Sequence, residues 1–216
     1  MSVQRDTLLP TVLLGRTWLS EKAFELVLER PAGFRFIPGQ SIRFKEGSLE
    51  REYSLTCGTD APHVSLCVRL VSAGLFSPLL AAAPMGSSFA FTGPHGFFTF
   101  KKSDRPAVLV ATGTGIAPFL SMVKWGLGGF TILHGVREPA DLYYERVFRD
   151  AAAVYVACLS DAGGGGAVRV TDWAGKHLAP GSYDFYLCGS RAMIRDMTLL
   201  ADERFRGSRV YTEIFY

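Results

Sequence analysis

Five short stretches of the chain carry residue types suited to holding phosphate or covering a flat surface. In VLVATGTGIAP, residues 108–118, an apolar run leads into Gly113-Thr114-Gly115 and then a helical pattern with Pro118 near its first turn. Glycines let backbone amides approach a pyrophosphate, and a helix start adds partial positive charge. The third glycine of the common dinucleotide pattern is absent, so the turn alone reads equally well as a plain tight connection. In REYSLT, 51–56, Arg51 can pair with a phosphate while Tyr53 and Ser54 alternate across a strand; a routine surface strand looks the same. In SAGLFS, 72–77, Gly74 and Ser77 would expose amides at a helix start, or form an ordinary N-cap. In YLCGSRAMI, 186–194, Cys188 and Gly189 close a strand at an edge where α/β folds bind ligands, although a buried cysteine is often only structural. Finally, VYTEIFY places Phe215 and Tyr216 side by side at residues 215 and 216, where large rings call for a surface to cover.

Two different rhythms must position these residues. Up to about residue 101, short alternating or β-rich runs (TVLLGRTWL, AFELVLER, SIRFKE, REYSLTCG, HVSLCVRLVS, SFAFTG) lie between turn signals, as in a small antiparallel barrel. LFSPLLAAAP is the helical candidate within it. From Pro106 apolar strands are expected at 107–112, 130–135, 154–160, 183–189 and 209–215, alternating with helical patterns such as APFLSMVKWG, PADLYYERVFRDAA and SRAMIRDMTLLADERF. That alternation implies a parallel, doubly wound sheet. The polar KKSDRP at 101–106 marks the boundary, giving expected domains at 1–101 and 102–216, with the glycine run at 163–166 as a surface loop.

Bulk properties narrow the function classes. The 216 residues have an ordinary globular composition and a net charge of +3, without the concentrated basic footprint of a nucleic-acid binder. The cysteines at 57, 67, 158 and 188 are far apart, with neither zinc spacing nor the clustered thiolates of an iron–sulfur site. No metal is expected, and a reducing compartment is. No apolar run approaches the roughly 18 residues of a membrane span. TLLPTVLLG near the start reads as a strand rather than a signal peptide, so a cytoplasmic location is the expectation.

The order of the motifs says more than any one of them. Arg-x-Tyr-Ser-Leu, Gly-x-x-Ser, GPHGFF (93–98), Gly-Thr-Gly-Ile-Ala-Pro, GVREPADLYYE (135–145), Tyr-x-Cys-Gly and a closing Glu-x-aromatic follow one another. From about Pro38-Gly39-Gln40 onward the chain resembles the ferredoxin–NADP reductase family. SLCVRL (65–70) and the EIFY ending resemble the ferredoxin/flavodoxin reductases of plastids and bacteria. The resemblance implies an FAD-binding barrel followed by an α/β, Rossmann-like domain for NADP or NAD.

Carried over residue by residue, it implies that Arg51 contacts the FAD pyrophosphate, Tyr53 lies against the flavin and Ser54 bonds near its N5. Leu55 and Thr56 continue along the cofactor, Cys67 and Arg69 of the next strand also contact the FAD, and Gly74, Leu75, Phe76 and Ser77 close over the pyrophosphate. Gly113, Thr114 and Gly115 would hold the nicotinamide nucleotide, with Thr114 also facing the flavin. Arg137, Ser160, Arg169, Gly189 and Met193 would complete that site, with Cys188 beside the nicotinamide and Glu213 near the hydride path. Ser54, Cys188 and Glu213 are thus the expected catalytic group, and Phe215 and Tyr216 a movable aromatic cover over the flavin. The donor stays open: the resemblance favours NADPH, whereas Asp161 directly after Ser160 would repel a 2′-phosphate and favours NADH. Arg169, Arg191 and Arg195 are further candidates for a phosphate. The implied function is an oxidoreductase exchanging electrons between NAD(P)H and a separate acidic carrier, ferredoxin or flavodoxin. Alternatives are an NAD(P)H:flavin reductase and an electron-transfer subunit of a larger complex.

Overall fold

The computed structural model describes residues 7–47, 49–161 and 166–215. The chain divides into two units, Met1–Phe100 with Ala117–Trp125, and Lys101–Ile116 with Gly126–Tyr216.

The first unit is a six-stranded antiparallel sheet built from β1 (Leu9–Ser20), β2 (Ala23–Glu29), β3 (Ser41–Glu46), β4 (Leu49–Ser54), β5 (His63–Arg69) and β6 (Ser88–His95), in the order β4-β3-β6-β1-β2-β5. An antiparallel bridge between Leu55 and Leu66 joins the chain leaving β4 to β5, so the two edge strands meet and the sheet closes into a barrel. Alternation sets the inner face: Phe24, Leu26 and Leu28 oppose Val68, Leu66 and Val64 across the β2–β5 pair, and all six are buried. Phenylalanines fill the centre, with Phe44 meeting the rings of Phe76, Phe89 and Phe91 at centroid distances of 5.6, 5.9 and 6.3 Å.

Helix α1 (Phe76–Ala82) sends Phe76 and Leu80, one turn apart, into this core. Its far end is fastened by Arg16, whose Nη1 donates to the carbonyls of Leu80 and Ala83 at 3.1 and 2.8 Å. Helix α2 (Ala117–Lys124) also groups with this unit, although it follows a strand of the other one in sequence. Ser121 Oγ donates to the Cys57 carbonyl at 2.7 Å, and Phe119 packs on Phe98 with centroids 5.7 Å apart.

The second unit contains β7 (Ala107–Thr112), β8 (Thr131–Val136), β9 (Val154–Leu159), β10 (Asp184–Gly189) and β11 (Arg209–Ile214), all parallel, in the order β11-β10-β7-β8-β9. The strands lie within a residue of their expected places, because buried parallel strands read as nearly continuous apolar runs. Helices α4 (Val170–His177) and α5 (Arg191–Arg204) cover one face, over Val108, Val110, Leu133, Phe185 and Leu187.

Two helices differ from expectation. The helical pattern over PADLYYERVFRDAA is broken into a 3-10 turn at Pro139–Asp141 and a shorter α3 (Glu145–Ala151). The break lies at Tyr144, whose φ of 59° is left-handed and cannot continue a helix. Helix α4 was not singled out in the sequence, where the glycine run just before it dominates the pattern.

Candidate functional site

The order of the parallel sheet contains one reversal. From β7 the chain moves outward through β8 and β9, then returns to the other side of β7 for β10 and β11. At such a reversal the connections leaving neighbouring strands go to opposite faces, which opens a crevice beyond the carboxyl ends of β7 and β10. The sequence motifs lie at that edge.

After Thr112 the chain turns through the 3-10 segment Gly113–Ile116 into α2. Gly113 has φ 53°, with nothing within 4 Å of where a Cβ would stand, so its backbone borders open space. Gly115 is a glycine for another reason: a Cβ there would lie 2.3 Å from the Cys188 carbonyl oxygen and 2.8 Å from Gly189 Cα. The turn is therefore pressed onto the end of β10. Thr112 Oγ1 tightens the same junction by accepting from Ser190 N at 2.8 Å.

Register then places Glu213, Cys188, Ala111 and His134 in one row across β11, β10, β7 and β8. Cys188 is fully buried. Burial, followed by the Glu213 carboxylate beside it, pushes its thiol well above the usual range. It is thus a protonated, compact wall at neutral pH and not a nucleophile. Glu213 is half-buried, and Phe215 N donates to Gly189 O at 2.9 Å, which keeps the chain on the same edge past β11. Tyr216 lies outside the described residues.

The remaining residues expected at the nucleotide also emerge along this edge. Val136 and Leu159 are register partners, so Arg137 and Ser160, the next residues, leave the sheet side by side. Ser160 is held there by its amide and hydroxyl, which both donate to the Val136 carbonyl at 2.9 and 3.3 Å. Arg137, Asp161 and Arg169, the N-cap residue of α4, are exposed. Met193 is buried in the first turn of α5, below the Ser190 cap that accepts from its amide at 3.3 Å.

In the barrel unit, Arg51 is exposed on β4, with Nη1 donating to the neighbouring Glu50 carbonyl at 2.7 Å. Two residues on, the Tyr53 ring lies 6.3 Å from Phe76 and 6.0 Å from Phe44, centroid to centroid. That contact brings the arginine-bearing strand against the start of α1. Burial pushes the Tyr53 hydroxyl up to about 12, so it stays protonated. Among the described residues the α1 N-terminus has no side-chain cap, and Phe76 and Ser77 supply its first-turn amides, since Pro78 has none. Ser77 is not the N-cap; Leu75 is, and it is 69% exposed. Ser77 lies inside the first turn, where its hydroxyl accepts from Val71 N at 2.9 Å and holds the loop that contains Gly74.

Ser54, Leu55, Thr56 and Cys67 are all buried. Leu55 belongs to the barrel core and Thr56 Oγ1 pairs with Ser65 Oγ at 2.8 Å, so neither side chain is offered to a ligand. Arg69 is exposed at the end of β5. Thr112 and His134, at the same edge, were not singled out in the sequence; a hydroxyl closing one apolar strand and an imidazole within another were the available signal.

Comparison with known proteins bears on the two units and their family. Residues 16–100 match the oxidoreductase FAD-binding domain and residues 109–198 the oxidoreductase NAD-binding domain. The chain belongs to the ferredoxin–NADP reductase family. Among curated relatives, the propane 2-monooxygenase reductase component of Rhodococcus jostii is 31% identical over 188 residues, covering 76% of this chain and 51% of that protein. Ferredoxin–NADP reductase B of Sorangium cellulosum is 34% identical over 139 residues, covering 58% of this chain and 57% of that one. The chain spans about half the length of the curated relatives it matches. A ferredoxin NADP+ reductase from Neisseria gonorrhoeae, solved with FAD and NADP, superposes with a TM-score of 0.83 at 21% identity over all of both chains. The Amycolatopsis cytochrome P450 reductase GcoB gives 0.83 at 25% identity over 96% of this chain and 69% of that one.

The residues present are chemically compatible with the two cofactors of this family. An exposed guanidinium on a strand packed against an uncapped helix start suits the FAD pyrophosphate. The open backbone at Gly113, beside the sheet reversal, suits the nicotinamide nucleotide. Among the described residues no helix is long and apolar enough to cross a membrane.

Proposed function

We propose that the chain uses NAD(P)H to reduce a one-electron carrier protein, ferredoxin or flavodoxin. Bound FAD would supply the chemistry that side chains lack, two-electron hydride acceptance coupled to one-electron release. The observation that carries this reading is the Gly113–Gly115 turn at the sheet reversal, in one chain with the Arg51, Tyr53 and α1 cluster of the barrel. Arg51 and the first-turn amides of α1 hold the pyrophosphate, and Tyr53 flanks the ring system. Ser54 donates near the position that receives the hydride. Gly113 and Thr114 hold the nicotinamide nucleotide, and Cys188 and Glu213 border its reactive end. Ser54→Ala is expected to slow flavin reduction in stopped flow about tenfold, the loss of one good hydrogen bond, with FAD still bound. A wild-type rate would remove Ser54 from the catalytic group.

None of the cysteines forms a disulfide and all are buried at separate places, which supports an acceptor outside these residues. The mild positive charge suits an acidic one. A second reading, the reductase part of an oxygenase system, is favoured by the relatives, which include reductase and electron-transfer components of monooxygenases and dioxygenases. The deciding experiment is a visible spectrum of the purified protein, then cytochrome c reduction with and without added ferredoxin or flavodoxin. Flavin absorbance and carrier-dependent reduction are expected. A colourless protein that takes up no FAD overturns the proposal, and electron delivery only to an oxygenase component favours the second reading.

For the donor, we infer that Arg137 recognises the 2′-phosphate of NADPH while Asp161 opposes it. Arg137→Ala is then expected to lower kcat/KM for NADPH about tenfold and leave NADH within about twofold, as loss of a charge-assisted contact requires. Equal losses with both donors would assign Arg137 another role.

A further inference from the structure

His134 stands beside the nucleotide turn without an assigned role. It follows Ile132 and Leu133 in β8 and is fully buried. Its Nε2 lies 3.2 Å from the Gly113 carbonyl oxygen. A carbonyl only accepts, so Nε2 carries the proton and donates. Nδ1 is then a bare acceptor with no hydrogen-bond partner among the described residues. Burial pulls the imidazole down to about 4, against the Gly113 bond and the Glu145 and Asp141 carboxylates, so the ring is neutral near pH 7.

An aliphatic side chain like those of Ile132 and Leu133 would occupy this strand without burying an unpaired acceptor, which is destabilising. What the imidazole adds is one fixed N–H aimed at the residue of the turn that has left-handed backbone. The other parts of the turn are already fastened: Thr112 Oγ1 takes the Ser190 amide, and Gly115 is pressed onto Cys188. The Gly113 carbonyl completes the set. In a trans peptide the carbonyl and the following N–H point in opposite directions. Holding the Gly113 oxygen toward buried His134 therefore turns the Thr114 N–H away from the strand.

We propose that His134 is a positioning residue for the nicotinamide nucleotide, its Nε2–H holding the Gly113 carbonyl so that the Thr114 amide presents to the donor's phosphates. The inference rests on the reading of this turn as the donor site. It assigns His134 no part in hydride transfer itself.

The test compares His134→Leu, which removes the donor, with His134→Gln, whose amide nitrogen reaches the place of Nε2. Steady-state oxidation of NADPH and NADH with ferricyanide as acceptor gives KM and kcat, and the visible spectrum gives FAD content. H134L is expected to raise KM for the preferred donor about tenfold, with kcat and FAD content within about twofold, and H134Q to recover most of the loss. A wild-type KM in H134L, or a KM in H134Q no better than in H134L, overturns the proposal. If H134L yields no folded protein, His134→Asn replaces it, because its shorter side chain places the amide near Nδ1, out of reach of Gly113. KM must then rise in H134N and not in H134Q; equal values overturn the proposal. Wild-type protein without FAD or NAD(P)H oxidation would instead defeat the functional reading, before any variant is made.

Discussion

Gly115→Ala is expected to lower NAD(P)H oxidation at least about 100-fold while FAD stays bound, since misplacing reacting groups by about 1 Å costs that much. The added Cβ would stand 2.3 Å from the Cys188 carbonyl oxygen and 2.7 Å from its carbonyl carbon. Both are backbone atoms of a central strand, paired on one side with β7 and on the other with β11. No side chain can swing aside to make room. The turn must lift off β10, which moves Gly113 and Thr114 with it and strains the Thr112–Ser190 bond. FAD content is the internal control, because Arg51, Tyr53 and α1 lie in the other unit. Gly113→Ala makes the useful contrast. Its Cβ meets nothing within 4 Å, so it carries only the left-handed backbone cost of about 1–2 kcal/mol and a loss nearer tenfold. Ferricyanide-coupled turnover of both variants checks the ranking. A Gly115→Ala enzyme within threefold of wild type would mean that the turn does not hold the donor as described.

Arg30→Ala is expected to lower the stability of the barrel unit by about 3–4 kcal/mol, from charge-assisted hydrogen bonds worth roughly 1.5–3 kcal/mol each but not additive. The Arg30 guanidinium donates from Nε and Nη2 to the Phe34 carbonyl at 3.1 and 2.7 Å. Its Nη1 donates to the carbonyls of Thr59 and Ala61 at 2.7 and 2.8 Å, and the group lies 5.6 Å from the Phe36 ring centroid. One side chain thus ties the end of β2 to the loop carrying Phe34 and Phe36 and to the turn before β5. Removing it leaves three carbonyls without this donor and releases two buried phenylalanines from their anchor. Arg30→Lys should recover little, since a single ammonium cannot fork among carbonyls set this way. The urea midpoint followed by flavin and tryptophan signals measures the effect. A loss below about 1 kcal/mol would show that the loop is held by packing of Phe34 and Phe36 alone.

Much of the architecture is legible in the residues because its signals are local. Alternation in AFELVLER and HVSLCVRL shows which residues of β2 and β5 face inward, and the apolar runs at 107–112 and 184–189 show strands buried on both faces. The Gly-Thr-Gly turn is visible for the same reason, since its glycines follow directly on a strand. Where the reading departs from the structure, the cause is non-local or conformational. Tyr144 breaks a helical pattern by adopting left-handed backbone, which no periodicity discloses. Ser77 resembles an N-cap in sequence, yet its hydroxyl holds Val71 N from inside the helix.

By itself, then, the sequence determined the strands and most helices, the order of the motifs and, through that order, the family. Only the tertiary structure decided which of those motifs share a sheet edge and what their side chains touch there. Cys188 and Glu213 become neighbours, and His134 joins their row, because β10 pairs with β7 and β11 and β8 flanks β7 on its other side. Gly115 must be a glycine because another strand's carbonyl occupies the space of its Cβ. Helix α2 follows β7 in the chain but packs with the barrel, through Ser121 on Cys57 and Phe119 on Phe98. Residue order encodes local conformation directly, whereas strand order and close packing arise from contacts between segments tens of residues apart, and those contacts are what bring separate motifs to one edge of the sheet.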